Sequence, residues 1–422
     1  MKDKGVEKIY RLAREQYARL GVNTEQAIAG LRKINIALNC WQGDDVTGFL
    51  NETGISGGLV CTGSYPGRAR SGEELRADLH KALTLIPGRH RVSLHAIYAE
   101  PRRPGKQRNE LETRDFSAWI AWAQANRLGL DFNGTFFGHP LAASGFTLSA
   151  RNENSRRFWI EHAAACRRIG ADIGRKLRSP CVTNIWIPDG FKDIPFDRKK
   201  PREILKKSLD EIFARKFNPR HLVDSLEGKL FGIGSEAYVA GSYDFYLSYA
   251  VANGKMLCLD MGHFHPTESV ADKLSALLLY LDGILLHISR GIRWDSDHAP
   301  ILSDELRGLA EEIVRGGFLG RVKIGLDFFD ASINRVAAWV IAARGVLKAF
   351  LTAMLEPATN LRQMERRGNH TGRLALLEEL KTMPAGIVWN EYCRRQGVPA
   401  GIEWLNEIKK YERGVLTRRA KQ

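Results

Sequence analysis

Short, largely apolar runs recur along the chain, at 34–39, 92–98, 130–133, 182–187, 222–227, 256–260, 284–289 and 322–327. Each has the length of a buried strand rather than of a helix, and polar or charged residues close most of them. Between most of them apolar positions recur at helical spacing, as over 73–85, 116–126, 155–177, 201–216 and 270–281. Strands alternating with helices predict βαβ units and a parallel sheet. Eight such runs predict closure into a (β/α)8 TIM barrel rather than an open sheet. No glycine fingerprint for a dinucleotide follows the first run, which weakens the Rossmann alternative.

Both ends add helices. Residues 6–33 read as two amphipathic helices around Gly21, the second opened by the capping sequence Asn23-Thr24-Glu25. After Asp327 the pattern is helical over 333–356, 371–381, 386–396 and 401–416, with Gly or Pro between. The expected organisation is therefore α/β: N-terminal helices over 1–33 packing on the barrel, a catalytic barrel over 34–345, and a helical C-terminal extension over 346–422. A barrel needs one closing helix. The surplus predicts either contacts in a homo-oligomer or packing on the chain's own barrel.

Composition changes this picture little. The chain of 422 residues is 44% hydrophobic and 26% charged, as globular domains are. The net charge of +15 raises the question of nucleic acid. Its densest patches are Arg102-Arg103 with Lys106 and Arg108, Arg198-Lys199-Lys200, and Arg418-Arg419 with Lys421. Acidic residues break them up, and they lack the interleaved aromatics of a nucleic-acid groove. A solvated surface is expected, with no nucleic-acid partner. The six cysteines form no CxxC pair, which argues against a zinc ribbon and a disulfide framework. No apolar run approaches a membrane span, and the N-terminus leads into a polar helix rather than a signal core. No membrane partner and a cytoplasmic location are expected.

The chemistry lies where the runs end. His95, Asp131, Asn133, Trp186, Glu227, Lys229, Asp260, His263, His287, Asp295, Asp297 and Asp327 all fall at or just beyond those ends. In a TIM barrel the C-terminal strand ends form the active-site face. One carboxylate there is ordinarily a cap or a salt bridge. Four successive strands ending in Glu227, Asp260, His287 and Asp327 instead ask for a cation, because buried carboxylates are costly unless paired or metal-bound. Oxygen ligands with a minority of imidazole suit Mn²⁺, Mg²⁺, Co²⁺ or Zn²⁺.

Asp295 and Asp297 form a second, more local cluster. In extended backbone, positions i and i+2 point the same way, so both can face one ion. Alone, such a pair is often an Asx turn. It gains specificity from His263, three residues beyond Asp260 in a loop bent by Gly262 and Pro266. Asp260 would serve one ion or bridge two, leaving His265 and His298 to support the metal ligands from behind or to pack the loops. Lys229 shares the alternating face of Glu227 and could donate to a developing oxyanion, or pair with Glu227 or Asp260. Trp41, Trp186, Phe132 and Phe136 could give apolar faces to a sugar, or pack in the core. Two metals at a barrel mouth polarise a carbonyl and stabilise an adjacent alkoxide, which serves aldose–ketose interconversion. The alternative is a metal-dependent phosphodiesterase or endonuclease on a related barrel, in which the positive charge would have a role. The Asp-dominated shells favour a neutral polyol.

Six longer motifs occur in order: Asn39-Cys40-Trp41-Gln42-Gly43-Asp44-Asp45, Asn184-Ile185-Trp186-Ile187-Pro188-Asp189-Gly190, Lys229-Leu230-Phe231-Gly232-Ile233-Gly234, Gly262-His263-Phe264-His265-Pro266-Thr267-Glu268, Arg293-Trp294-Asp295-Ser296-Asp297-His298 and Leu326-Asp327-Phe328-Phe329-Asp330-Ala331-Ser332-Ile333-Asn334. Together they resemble the L-rhamnose isomerase family through nearly the whole chain. The resemblance implies a xylose-isomerase-like barrel, a cytoplasmic homotetramer and Mn²⁺ dependence. The implied reaction is L-rhamnose to L-rhamnulose by a metal-assisted hydride shift, the first step of L-rhamnose catabolism. The resemblance implies a catalytic metal on His263, Asp295 and Asp297 and a structural metal on Glu227, Asp260, His287 and Asp327, with Zn²⁺, Co²⁺ or Mg²⁺ open at one site. Trp186 and Lys229 would line the sugar site. His95, Phe132 and Trp41 complete the expected substrate-binding set, and Asp327, Lys229 and His263 the catalytic one. An isomerase preferring another aldose is a further alternative. The basic segment 101–115 is where the resemblance is weakest.

Overall fold

Eight parallel strands form where the apolar runs lie: β1 (Ile36–Asn39), β2 (Arg91–His95), β3 (Gly129–Asn133), β4 (Cys181–Ile185), β5 (Leu222–Glu227), β6 (Met256–Asp260), β7 (Ile284–Ile288) and β8 (Val322–Leu326). In this computed structural model they pair in chain order, and the sheet closes with Ile36 opposite Ile324 and Ala37 opposite Gly325. The expected closed barrel is thus present. The structure describes residues 3–50, 60–230, 234, 236–293 and 295–421. Phe231-Gly232-Ile233 and Trp294, parts of two quoted motifs, lie outside the described residues.

Strand ends differ from the apolar runs where burial continues without extension. β2 stops at His95, and Ala96–Tyr98 coil into a buried 3-10 turn. Tyr98 there donates its hydroxyl to Asp44 Oδ1 at 2.6 Å. Apolar character marks burial, and burial alone does not separate a strand from a turn. A two-residue antiparallel ladder, Gly190–Phe191 with Tyr238–Val239, lies outside the barrel sheet.

The helices cover the barrel. The longest, Glu153–Leu177, is opened by the Asn152 side chain, which accepts the Ser155 N–H, and closed by Arg178 in the left-handed region. It lies close against the strands. A Cβ at Gly174 would sit 1.9 Å from the His221 carbonyl oxygen. From this helix Arg167 reaches Asp224 on β5, with contacts of 2.7 and 2.9 Å, and Lys255 Nζ lies 3.0 Å from the same carboxylate.

Asp131 departs from its expected place at the active-site end. It lies within β3 and lines a hollow at the opposite barrel end, with Lys33, Pro180 and Val322. Arg91 holds it at 2.7 and 2.9 Å, and the Val182 N–H donates to it.

Helix Arg335–Met354 is long and apolar enough to cross a membrane by length and composition, although no such run was expected. Its most apolar stretch is 83% buried within the fold, so it is a core helix. It also runs through position 345, so the expected boundary there falls inside one continuous helix. Beyond it the chain returns to its own barrel and N-terminal helices. Arg395 pairs with Glu25 at 2.5 and 2.9 Å, Lys81 with Glu407 at 3.1 Å, and buried Asp78 takes bonds from Tyr411 and Arg419.

Candidate metal centre

The C-terminal mouth of the barrel gathers acidic and imidazole side chains from three successive strands and the turn after a fourth. Glu227 ends β5, Asp260 ends β6, His287 stands opposite Asp260 on β7, and Asp327 follows β8. Ligand atoms of these four lie within 4.8 Å of one another. His287 Nδ1 is 3.0 Å from Asp327 Oδ2, 3.2 Å from Glu227 Oε2 and 3.9 Å from Asp260 Oδ2. Despite that proximity His287 Nδ1 makes no hydrogen bond, and neither does Asp260 Oδ2. Atoms that converge buried and unsatisfied, without hydrogen-bond geometry, are a set that could hold a metal ion. Room for the ring comes from Gly325 opposite His287, where a Cβ would lie 3.3 Å from His287 Cδ2.

Neighbouring side chains hold the ligands in orientation. Asn184 Nδ2 donates to Glu227 Oε2 at 2.5 Å, Trp41 Nε1 to Asp327 Oδ1 at 3.0 Å, and Ser289 Oγ to Asp260 Oδ1 at 2.9 Å. Beside this group Asp260, His263 and Asp295 form a second one, also within 4.8 Å. His263 Nδ1 lies 3.1 Å from the Gly228 carbonyl, so its proton is held there. Nε2, 3.4 Å from Asp295 Oδ2, is left as a ligand atom. Asp295 Oδ1 is buried with no hydrogen-bond partner. Gly262 lets the chain pass. A Cβ there would fall 2.6 Å from Asp295 Oδ1.

Burial and close packing set these ionisable groups against one another. Burial pushes Asp260 up to about 7, and Asp327, Glu227 and Asp295 push the same way. Burial also raises Asp297 well above the carboxylate range, helped by Asp295 and Asp327. Against burial, His287 and His263 hold Glu227 low, and Lys229 and His263 hold Asp295 low. Lys229 Nζ lies 2.8 Å from Asp295 Oδ2 and 4.8 Å from the centre of the Trp186 ring. Burial opposes its charge, but Asp295 and Asp297 raise its pKa, so it stays protonated. Such a set of carboxylates and imidazoles suits a divalent cation.

A cavity opens onto the cluster. Trp41, His95, Trp186, Lys229, Glu227, His263, His287, Asp297 and Asp327 line it, as do Val46, Asn133, Phe137, Asn184 and Phe329. Burial lowers His95 to about 4, so it is neutral. One expectation is corrected. Phe132 does not reach the cavity. It packs edge-on against Phe116 at 5.0 Å, behind the strand, because Asn133 faces inward and its neighbour must face out. Phe136 likewise packs against Trp159 and His162. Asp297 lines the same cavity, beside the group that Asp260, His263 and Asp295 form. Its backbone is not extended, with φ 44°. His265 bonds Thr267 and His298 bonds Ser296, in keeping with loop packing. Val46, Phe137 and Phe329 carried no signal of their own in the sequence, although Val46 follows one motif and Phe329 lies within another.

Residues 4–419 match the family described as L-rhamnose isomerase (RhaA). The chain is 54% identical over 417 residues to the L-rhamnose isomerase of Rhodopirellula baltica, covering 98% of this chain and 97% of that one. It is 52% identical over 415 residues to the L-rhamnose isomerase of Klebsiella pneumoniae, covering 98% and 99%. Among solved structures it is similar to D-psicose 3-epimerase from Clostridium cellulolyticum H10, at 11% identity and a TM-score of 0.44, over 76% of this chain and 97% of that one.

Proposed function

Because the chain belongs to the L-rhamnose isomerase family, it is an aldose–ketose isomerase that interconverts L-rhamnose and L-rhamnulose, and we propose that it works with two divalent ions at the barrel mouth. The same donor set could serve phosphoester hydrolysis; family membership decides for the isomerase. The inner ion is assigned to Glu227, Asp260, His287 and Asp327. The outer, catalytic ion is assigned to His263, Asp295 and Asp297. The observation that carries this reading is the convergence of buried, unsatisfied Asp260 Oδ2, His287 Nδ1 and Asp295 Oδ1. Mn²⁺ is the ion proposed; Zn²⁺, Co²⁺ or Mg²⁺ fit the same donors, and availability decides among them.

Bound there, divalent ions polarise the sugar carbonyl and neutralise the adjacent alkoxide as hydrogen moves between C1 and C2. The chain does the rest. Protonated Lys229 is placed to donate to a developing oxyanion. Trp41 Nε1–H fixes one Asp327 oxygen and leaves the other toward His287. The Gly228 carbonyl fixes His263. Trp41, Trp186 and Phe137 wall the cavity on its apolar side and keep water from the reacting carbons.

The assembly proposed is a cytoplasmic homotetramer, with the helices beyond 345 at subunit contacts. Exposed Leu374 and Ile402 on that extension support this. The N-terminal helices over 1–33 are read as an accessory layer on the catalytic barrel.

His287→Ala tests the inner site. A ligand at a hundred times its Kd stabilises by about 2.7 kcal/mol. The parent protein should therefore gain several degrees of melting temperature on adding Mn²⁺, and the variant should lose most of that gain. An unchanged metal response would make His287 an ordinary strand-end residue.

A further inference from the structure

The basic segment 101–115 supplies charges that the metal site does not use. One of them is internal. Arg108 is 1% exposed. Its Nη1 donates to the carbonyls of Thr135 at 2.8 Å and Phe137 at 2.7 Å, and its Nη2 to that of Gly138 at 2.8 Å. Three carbonyls of the loop after β3 are thus tied to one planar cation, which a lysine's single ammonium could not span in the same way. His162, on the helix Glu153–Leu177, closes the arrangement from behind. Its Nε2 accepts the Thr135 N–H at 3.2 Å, so Nδ1 carries the proton and donates to the Arg108 carbonyl at 3.1 Å. The loop held in this way forms one wall of the cavity, through Gly134 and Phe137.

The same loop reaches His95. Thr135 Oγ1 accepts the Ile97 N–H at 3.4 Å and lies 3.2 Å from His95 Nδ1. Thr135 is fully buried, and a buried hydroxyl proton needs an acceptor. The acceptor it meets among the described residues is His95 Nδ1. That bond leaves the imidazole proton on Nε2.

We propose that Arg108 and Thr135 are positioning residues for the isomerisation. Arg108 fixes the cavity wall after β3, and Thr135 fixes His95 as its Nε2–H tautomer, a neutral donor to a sugar oxygen. This rests on reading the cavity as the sugar site.

The test uses Mg²⁺-loaded, ¹⁵N-histidine-labelled protein and the variants Thr135→Val, Thr135→Ser and Arg108→Lys. In the parent protein the His95 nitrogen shifts should show the Nε2–H tautomer. Thr135→Val should lose that fixed signature and raise KM for L-rhamnose about tenfold, the worth of one hydrogen bond, with kcat and melting temperature little changed. Thr135→Ser should restore both readouts. Arg108→Lys should raise KM in the same direction. An Nδ1–H tautomer in the parent, a parent-like signature in Thr135→Val, or a serine variant as impaired as the valine one would each overturn the assignment. The tautomer is read without sugar, so the two failures are distinguishable: the expected tautomer change with an unaltered KM would overturn the sugar-donor role of His95.

Discussion

Asp295→Asn should lower kcat/KM on L-rhamnose by at least roughly 10³-fold, because the ion's charge stabilisation is worth several kcal/mol. The amide keeps the shape of the carboxylate and removes its charge. The Asp295 side chain is 4% exposed, with Lys229 Nζ 2.8 Å away, His263 Nε2 at 3.4 Å and its Oδ1 unsatisfied. Whichever way the amide turns, it places an NH₂ either against the Lys229 ammonium or at the unsatisfied ligand position. Both outcomes weaken the hold on a cation. The strands are untouched, so the circular dichroism spectrum should not change. Turnover within roughly tenfold of the parent at saturating Mn²⁺, the range expected for an outer-shell change, would remove Asp295 from the metal shell.

Asp224→Ala should cost about 3–5 kcal/mol of stability, the range for breaking a buried ion pair from one side. Asp224 binds Arg167 through both oxygens and Lys255 through one. Arg167 is 2% exposed and Lys255 10%, so the variant leaves two buried cations without their shared counter-ion. Hydrogen bonds from Arg167 to the Ile212 and Arg215 carbonyls keep its guanidinium in place, and so keep it from reaching water. The effect should appear as a lower melting temperature at fixed scan rate. A shift of less than about 1 °C would mean that the pair contributes almost nothing.

Much of this was legible in the chain. The eight apolar runs located eight strands because a parallel barrel buries both faces of its sheet. The strand-end Glu227, Asp260, His287 and Asp327 converge because consecutive strands stand side by side. What failed did so at the scale of single residues. Phe132 and Asn133 are adjacent, and alternation sends them to opposite faces. Asp131 is two residues before the end of β3, about 7 Å deeper along the strand, which is enough to give it to Arg91 at the other end. The terminal helices were predicted, but their amphipathic faces could not say which surface they cover. The salt bridges to Glu25, Asp78 and Lys81 depend on long-range packing that no local pattern records. Arg108 looked like one charge in an exposed basic stretch, because nothing in sequence marks the three carbonyls it meets.

The central claim is that this protein isomerises L-rhamnose through ions held by these carboxylates and imidazoles. The direct measurement is ketose formation from L-rhamnose and a panel of other aldoses, with protein stripped by EDTA and then given Mn²⁺. Activity that disappears on stripping, returns with Mn²⁺ and is strongest on L-rhamnose is the predicted result. Full activity after verified removal of the metal would contradict it.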